Sequence, residues 1–141
     1  MALILDAGAL LAQADADEPR HHDVVELLRN ERGALVTTEL AVAEADYLIL
    51  DRLGIDVELR FIEDLENGTF VVDCLSRDEL RSTRQVVEQY RDLQLGLADA
   101  SLVVLAQRYS TTRIVTFDER AFRAVAPLQG GAFIVLPADL P

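Results

Sequence analysis

The chain has one cysteine, no tryptophan and no lysine: all 13 of its basic residues are arginine. A lone Cys74 excludes an internal disulfide and fits a reducing cytoplasm. It follows Thr69-Phe70-Val71-Val72-Asp73, where a small, inert apolar filler is expected. Pro (4) and Gly (7) are few in 141 residues, and no repeat, low-complexity tract or long linker interrupts them, so a single domain over 1–141 is expected. No apolar run is long enough to span a bilayer. Met1-Ala2-Leu3-Ile4-Leu5-Asp6 has no basic start and carries an acid, so it does not read as a signal peptide. A cytoplasmic protein with no membrane role is expected. Positive charge is also scarce, with 25 acids giving a net charge of −12. Charge alone argues against nucleic acid as a partner, unless bound metal offsets part of it.

What the chain does have is apolar residues, 50% of the total, in short runs alternating with helical patterns. Ala2-Leu3-Ile4-Leu5, Ala34-Leu35-Val36, Thr69 to Asp73, Arg113 to Phe117 and Ala132 to Leu136 read as buried strands. Helices are predicted from Gly8 to Ala16, from Pro19 as first helical residue to about Arg29, and from Thr38 to Leu53, stopping at Gly54. More follow over Asp56 to Glu66, Leu97 to Tyr109 and Glu119 to Val125. Ser76-Arg77-Asp78-Glu79 is a capping box opening a helix that reaches about Tyr90. Strands alternating with helices, without tight hairpins, predict an α/β fold: a parallel sheet of about four to five strands flanked by helices.

Four acids stand out against this pattern. Asp6 and Asp118 end apolar runs, placing them at the carboxyl ends of strands, where such sheets carry their sites. Glu44 shares a helix face with Leu40, Tyr47 and Leu48, and Asp99 shares one with Leu102, Val103 and Ala106. A core-facing carboxylate is costly unless paired, and no basic residue shares those faces. A hard divalent cation, Mg²⁺ or Mn²⁺, is the expected partner. Such a site can activate water and stabilise the leaving oxygen of a phosphodiester. The competing reading is that the acids only cap helices, as Asp118 before Glu119-Arg120-Ala121-Phe122 would.

Ile4-Leu5-Asp6-Ala7-Gly8-Ala9-Leu10-Leu11-Ala12 resembles the opening of PIN-domain ribonucleases. Ala43-Glu44-Ala45-Asp46-Tyr47-Leu48, Leu95-Gly96-Leu97-Ala98-Asp99-Ala100-Ser101 and Thr116-Phe117-Asp118 with Phe122 resemble the later motifs of that family. Their order and spacing are most similar to the VapC toxins of VapBC toxin–antitoxin modules. The resemblance implies a PIN-like fold and a Mg²⁺- or Mn²⁺-dependent endoribonuclease, with Asp6, Glu44, Asp99 and Asp118 as catalytic metal ligands. It further implies a homodimer and a cognate antitoxin covering the site. Thr116 matches a family hydroxyl beside the acids, and Asp92, just before the third motif, could be an extra acid, with a solvated loop residue as the preferred alternative. Gly8 departs from the pattern, since many relatives carry Ser or Thr there.

Arg77, Arg81 and Arg84 form a stripe on one helix and Arg120 and Arg123 follow Asp118, so these could grip RNA phosphates; the alternative is a solvated stripe with acidic neighbours. His21 and His22 are adjacent in a surface helix and do not share a face, which disfavours a ligand role. Tyr47-Leu48-Ile49-Leu50 is apolar on every side, which calls for an interior helix or an interface. Three other readings are weighed: a PIN nuclease in RNA maturation or decay without an antitoxin, a receiver-like signalling domain, and a catalytically silent PIN scaffold. The receiver-like domain would need a late Lys, and the chain has none.

Overall fold

The computed structural model describes residues 1–141 as a five-stranded, all-parallel sheet flanked by seven helices. The elements run β1 (Leu3–Leu5), α1 (Ala7–Ala14), α2 (His21–Asn30), β2 (Leu35–Thr38), α3 (Glu39–Leu53), α4 (Ile55–Glu66), β3 (Val71–Asp73), α5 (Arg77–Gln89), α6 (Leu97–Arg108), β4 (Arg113–Val115), α7 (Glu119–Ala124) and β5 (Ile134–Leu136). Strand order is β3-β2-β1-β4-β5, with Leu3 opposite Leu35 and Leu5 opposite Val115. The chain fills the sheet outward from β1 in one direction, then returns to place β4 on its other side. The crevice between β1 and β4 is therefore the topological switch point.

Alternation along the strands divides the core into two layers. Leu3 and Leu5, with Val115 and Leu136, pack under α1, α3 and α4 through Leu10, Ile49 and Phe61. Ile4, Val36, Ile114 and Val135 face the opposite layer, with Val86, Leu102 and Phe122. All three residues of β1 are fully buried, each contributing about 1.5–3 kcal/mol over exposure. Threonine hydroxyls fix the ends of this strand: Thr111 Oγ1 donates to the Ala2 carbonyl at 2.7 Å and Thr37 Oγ1 to that of Leu5 at 2.8 Å.

Several expectations shift. The α2 helix begins at His21, not Pro19, because Glu18 Oε1 accepts from both the Arg20 backbone and Nε and holds Pro19 in a turn. The capping box at Ser76 and Glu79 is present with both reciprocal bonds. The α3 helix is not core-facing where Glu44 lies: its buried stripe is Ala41, Ala45 and Ile49. Those small residues let α3 sit close to its neighbours, and Glu44 falls outside the stripe, exposed. Tyr47 and Leu50 are 69% and 45% exposed while Ile49 is buried, so the apolar stretch has one interior side and one open side. Cys74 is exposed rather than buried. Its position explains this: it leaves edge strand β3 for the loop before α5, beyond the covering layers. A hydrogen bond with the Glu39 carboxylate, then burial, pushes its thiol pKa up.

Candidate active site

Asp6 is placed by the end of β1 and the start of α1. Its backbone N–H donates to the Val115 carbonyl at 3.2 Å, extending the sheet by one bond. Its side chain turns to cap α1, Oδ1 accepting from the Ala9 N–H at 2.7 Å. Only 5% of the residue is exposed. Burial raises its pKa to about 7 from 3.8; the Thr116 hydroxyl and the Ala9 N–H lower it, while the charges of Asp99 and Asp118 add to the rise.

Asp99 sits in the first turn of α6, aligned with Leu102, Val103 and Ala106, which are buried. Desolvation, then the charges of Glu44 and Asp118, raise its pKa to about 6. A buried hydroxyl pair sets where this helix lies. Thr38 caps α3 by accepting from Ala41 N–H at 3.2 Å, and its Oγ1 meets Ser101 Oγ at 2.9 Å. Ser101 in turn donates to the Ala98 carbonyl at 2.6 Å. This link ties the start of α3 to the start of α6, and so sets Glu44 against Asp99. The signal was in the third motif, but its partner lies 63 residues away.

Asp118 lies three residues beyond β4, exposed, and caps α7 by accepting from Ala121 N–H at 3.1 Å. Thr116 is buried, and its Oγ1 accepts from the Asp118 N–H at 3.0 Å. One hydroxyl thus serves both acids at the switch point. A Cβ on Gly8 would stand 3.4 Å from Asp6 Oδ1. A hydroxyl residue there would face the carboxylate, and its absence leaves Thr116 as the side-chain hydroxyl acting on Asp6.

The four acids come from four elements to the carboxyl end of the sheet, yet they do not close into a tight cage: no three His, Cys, Asp or Glu side chains are set to hold an ion together. Their chemistry nonetheless suits a hard divalent cation. The donors are all carboxylate oxygens, the charges of their neighbours add to the raised pKa values of Asp6 and Asp99, and none of the four forms an ion pair within the chain. Asp6 and Asp99 would hold the ion, and the exposed Glu44 and Asp118 would complete its shell.

Of the remaining candidates, only Arg120 and Arg123 follow a site acid closely, in the helix that Asp118 caps. Asp92 is exposed, in a single 3-10 turn before α6. Arg81 pairs with Asp78 at 3.2 Å and Arg84 with Glu88 at 2.8 Å, while Arg77 and Arg120 are exposed without an ion pair. The first turn of α5 is held to the last turn of α6, where Arg108 grips Glu79 at 2.6 Å and the Cys74 carbonyl at 2.7 Å. The arginine stripe therefore begins at the end of α6 opposite Asp99. His21 is taken up by the Ala12 carbonyl at 2.8 Å and His22 points to solvent.

The PIN domain family matches residues 3–128. A relative named Ribonuclease VapC26, from Mycobacterium tuberculosis, is 42% identical over 135 residues, covering 96% of this chain and all of the relative. Among solved structures, VapC20 of M. tuberculosis, described as a sarcin-ricin loop cleaving toxin, aligns with TM-score 0.77 at 14% identity, over 83% of this chain and 90% of that one. VapBC2 from Rickettsia felis, bound to a DNA fragment from its promoter, aligns with TM-score 0.66 at 13% identity, over 96% and 97%. At such identities these structures speak for the fold alone, but the family match and the full-length relative go further: the chain belongs to the PIN domain family.

Proposed function

We propose that this protein is an endoribonuclease that hydrolyses RNA phosphodiesters with Mg²⁺ or Mn²⁺ held by Asp6, Asp99, Glu44 and Asp118. We propose further that it is the toxin of a type II toxin–antitoxin pair, working in the cytoplasm and neutralised by a VapB-like antitoxin. The observation that carries the reading is the gathering of four acids, unpaired by any arginine, at the β1–β4 switch point of a PIN fold. Full-length similarity to a ribonuclease supports the substrate class.

A bound divalent cation would supply water activation and charge neutralisation at the scissile phosphate. The chain's own residues do the rest. The Ala9 N–H fixes the Asp6 carboxylate, and the Thr116 hydroxyl eases its charge. The Thr38–Ser101 pair sets Asp99 against Glu44. With pKa values of about 7 and 6, Asp6 and Asp99 are partly protonated near neutrality, so affinity for metal rises as pH climbs through that range. Partner contacts have room on the α3–α4 surface, where Tyr47, Leu50, Ile55, Leu59 and Ile62 are all exposed. A homodimer or the antitoxin would cover these. No helix is long and apolar enough to cross a membrane.

The test is digestion of total cellular RNA by purified protein, with Mg²⁺, with Mn²⁺ and with EDTA, beside Asp99→Asn. Discrete products that need metal and vanish in the variant are expected. Equal cleavage by the variant, or none under any condition, would overturn the reading.

A further inference from the structure

We infer that Arg20, stacked on Phe117, forms a phosphate-binding subsite for single-stranded RNA next to the acidic edge. The inference rests on the nuclease reading above and adds a binding residue that the motifs do not contain. The Arg20 guanidinium carbon stands 3.6 Å from the centroid of the Phe117 ring. Its Nε donates to Glu18 Oε1 at 2.8 Å, which fixes the plane of the group from one side. Both terminal nitrogens have no partner in the protein, and the side chain is 50% exposed. The result is an oriented guanidinium fork with two free nitrogens, the geometry that matches two oxygens of one phosphate. Stacking on the ring removes rotamer freedom before any ligand arrives, so less is lost on binding.

The ring also gives the fork its address. Phe117 lies between Thr116, which acts on Asp6, and Asp118. A Cβ on Gly8 would meet Phe117 Cδ2 at 4.0 Å and Asp6 Oδ1 at 3.4 Å. The aromatic ring therefore bridges from the neighbourhood of the Asp6 carboxylate to the guanidinium. Beside the fork opens a pocket of about 310 Å³ with Arg20, Thr116 and Phe117 in its wall, the exposed acids Asp23 and Glu119 also lining it, and Pro137 and Ala138 closing it. Those two acids repel a phosphate, so the pocket favours a single phosphate seated on the fork over a long run of backbone. Nearby Arg123 is no substitute, being committed to Asp139 at 2.6 Å and Glu119 at 3.2 Å. Arg20 is thus a binding residue for the phosphate neighbouring the scissile one, and takes no part in bond breaking.

The test compares wild type, Arg20→Ala, Arg20→Lys and Phe117→Leu on one fluorescent single-stranded oligoribonucleotide. Cleavage kinetics in Mn²⁺ are measured beside the salt dependence of binding. For Arg20→Ala, KM is expected to rise about tenfold with kcat within about threefold, and the salt slope to become shallower by about one. Arg20→Lys should keep the slope but recover only part of the KM, since an ammonium carries the charge without the stacked fork. Phe117→Leu should raise KM while leaving the slope intact. Active wild type with unchanged KM and slope in Arg20→Ala overturns the subsite and leaves the nuclease reading standing. A wild type that cleaves nothing overturns the nuclease reading, and binding then decides on Arg20: a shallower slope sustains the phosphate contact, and an unchanged slope or no binding ends it.

Discussion

Replacing Asp6 by Asn probes the acidic edge without disturbing its frame. Asn caps a helix as well as Asp does, so the bond from Ala9 N–H is retained while the buried charge is removed. The Asp6 carboxyl binds its proton more tightly folded than unfolded, with a pKa of about 7 against 3.8. Across that interval the folded state holds more protons than the unfolded chain, so stability declines as pH climbs through it. The difference of about three pKa units corresponds to at most about 4 kcal/mol. In metal-free buffer at pH 8 the variant is therefore expected to be more stable than wild type by up to about 4 kcal/mol, or roughly 10 °C in melting temperature. Near pH 4 the two should nearly coincide. The assay is thermal and urea unfolding in EDTA at several pH values, repeated with Mn²⁺. Added Mn²⁺ should raise the melting temperature of wild type at pH 8 and leave the variant nearly unmoved. A variant less stable than wild type at pH 8 without metal, or a wild type whose stability is flat from pH 4 to 8, would refute the reasoning.

Asp99→Asn should act in the same direction with a smaller gain, because its carboxyl is less deeply buried, and metal-free unfolding at pH 8 checks this. Ser101→Ala leaves the buried Thr38 hydroxyl without its partner and should cost about 1–2 kcal/mol in urea unfolding. It should also lower RNA cleavage by loosening Asp99 relative to Glu44; unaltered stability and activity would show that the hydroxyl pair is not a positioning link. Arg108→Met removes a two-bond clasp on Glu79 and a bond to the Cys74 carbonyl, and a loss of about 1–3 kcal/mol is expected at pH 7. The Arg108 guanidinium lowers the Glu79 pKa to about 2 from 4.5. That contribution is present above the unfolded value and fades as pH falls toward the folded one, so the gap between Arg108→Met and wild type should narrow on acidification. A constant gap from pH 7 to pH 3 would contradict the assignment.

Local pattern was enough for the strands and helices, because a buried parallel strand needs a continuous apolar run and Leu3-Ile4-Leu5 is one. The capping box at Ser76 and the stop at Gly54 were legible for the same reason: each is complete within a few residues. Asp6 could be found because an acid closing such a run stands out. Glu44 shows the limit of this reasoning. Periodicity places it on an apolar face, but α3 packs through Ala41, Ala45 and Ile49 and turns Tyr47 and Leu50 outward. Bulk on a helix face and burial are not the same quantity when close approach favours alanine. Cys74 was misplaced because a run of apolar residues does not reveal that its strand lies on the sheet edge. The Thr38–Ser101 link, the grip of Arg108 on Glu79 and the stacking of Arg20 on Phe117 join residues distant in sequence, and no local spacing announces them.

Calorimetric titration of Mn²⁺ into wild type and Asp99→Asn at pH 7.5 tests most directly whether four acids scattered through the chain form one cation site. Saturable binding to wild type, weakened at least tenfold in a variant that remains folded, is the expected result. Equal binding to both proteins, or none to either, would contradict the claim and leave the acids as helix caps and surface charge.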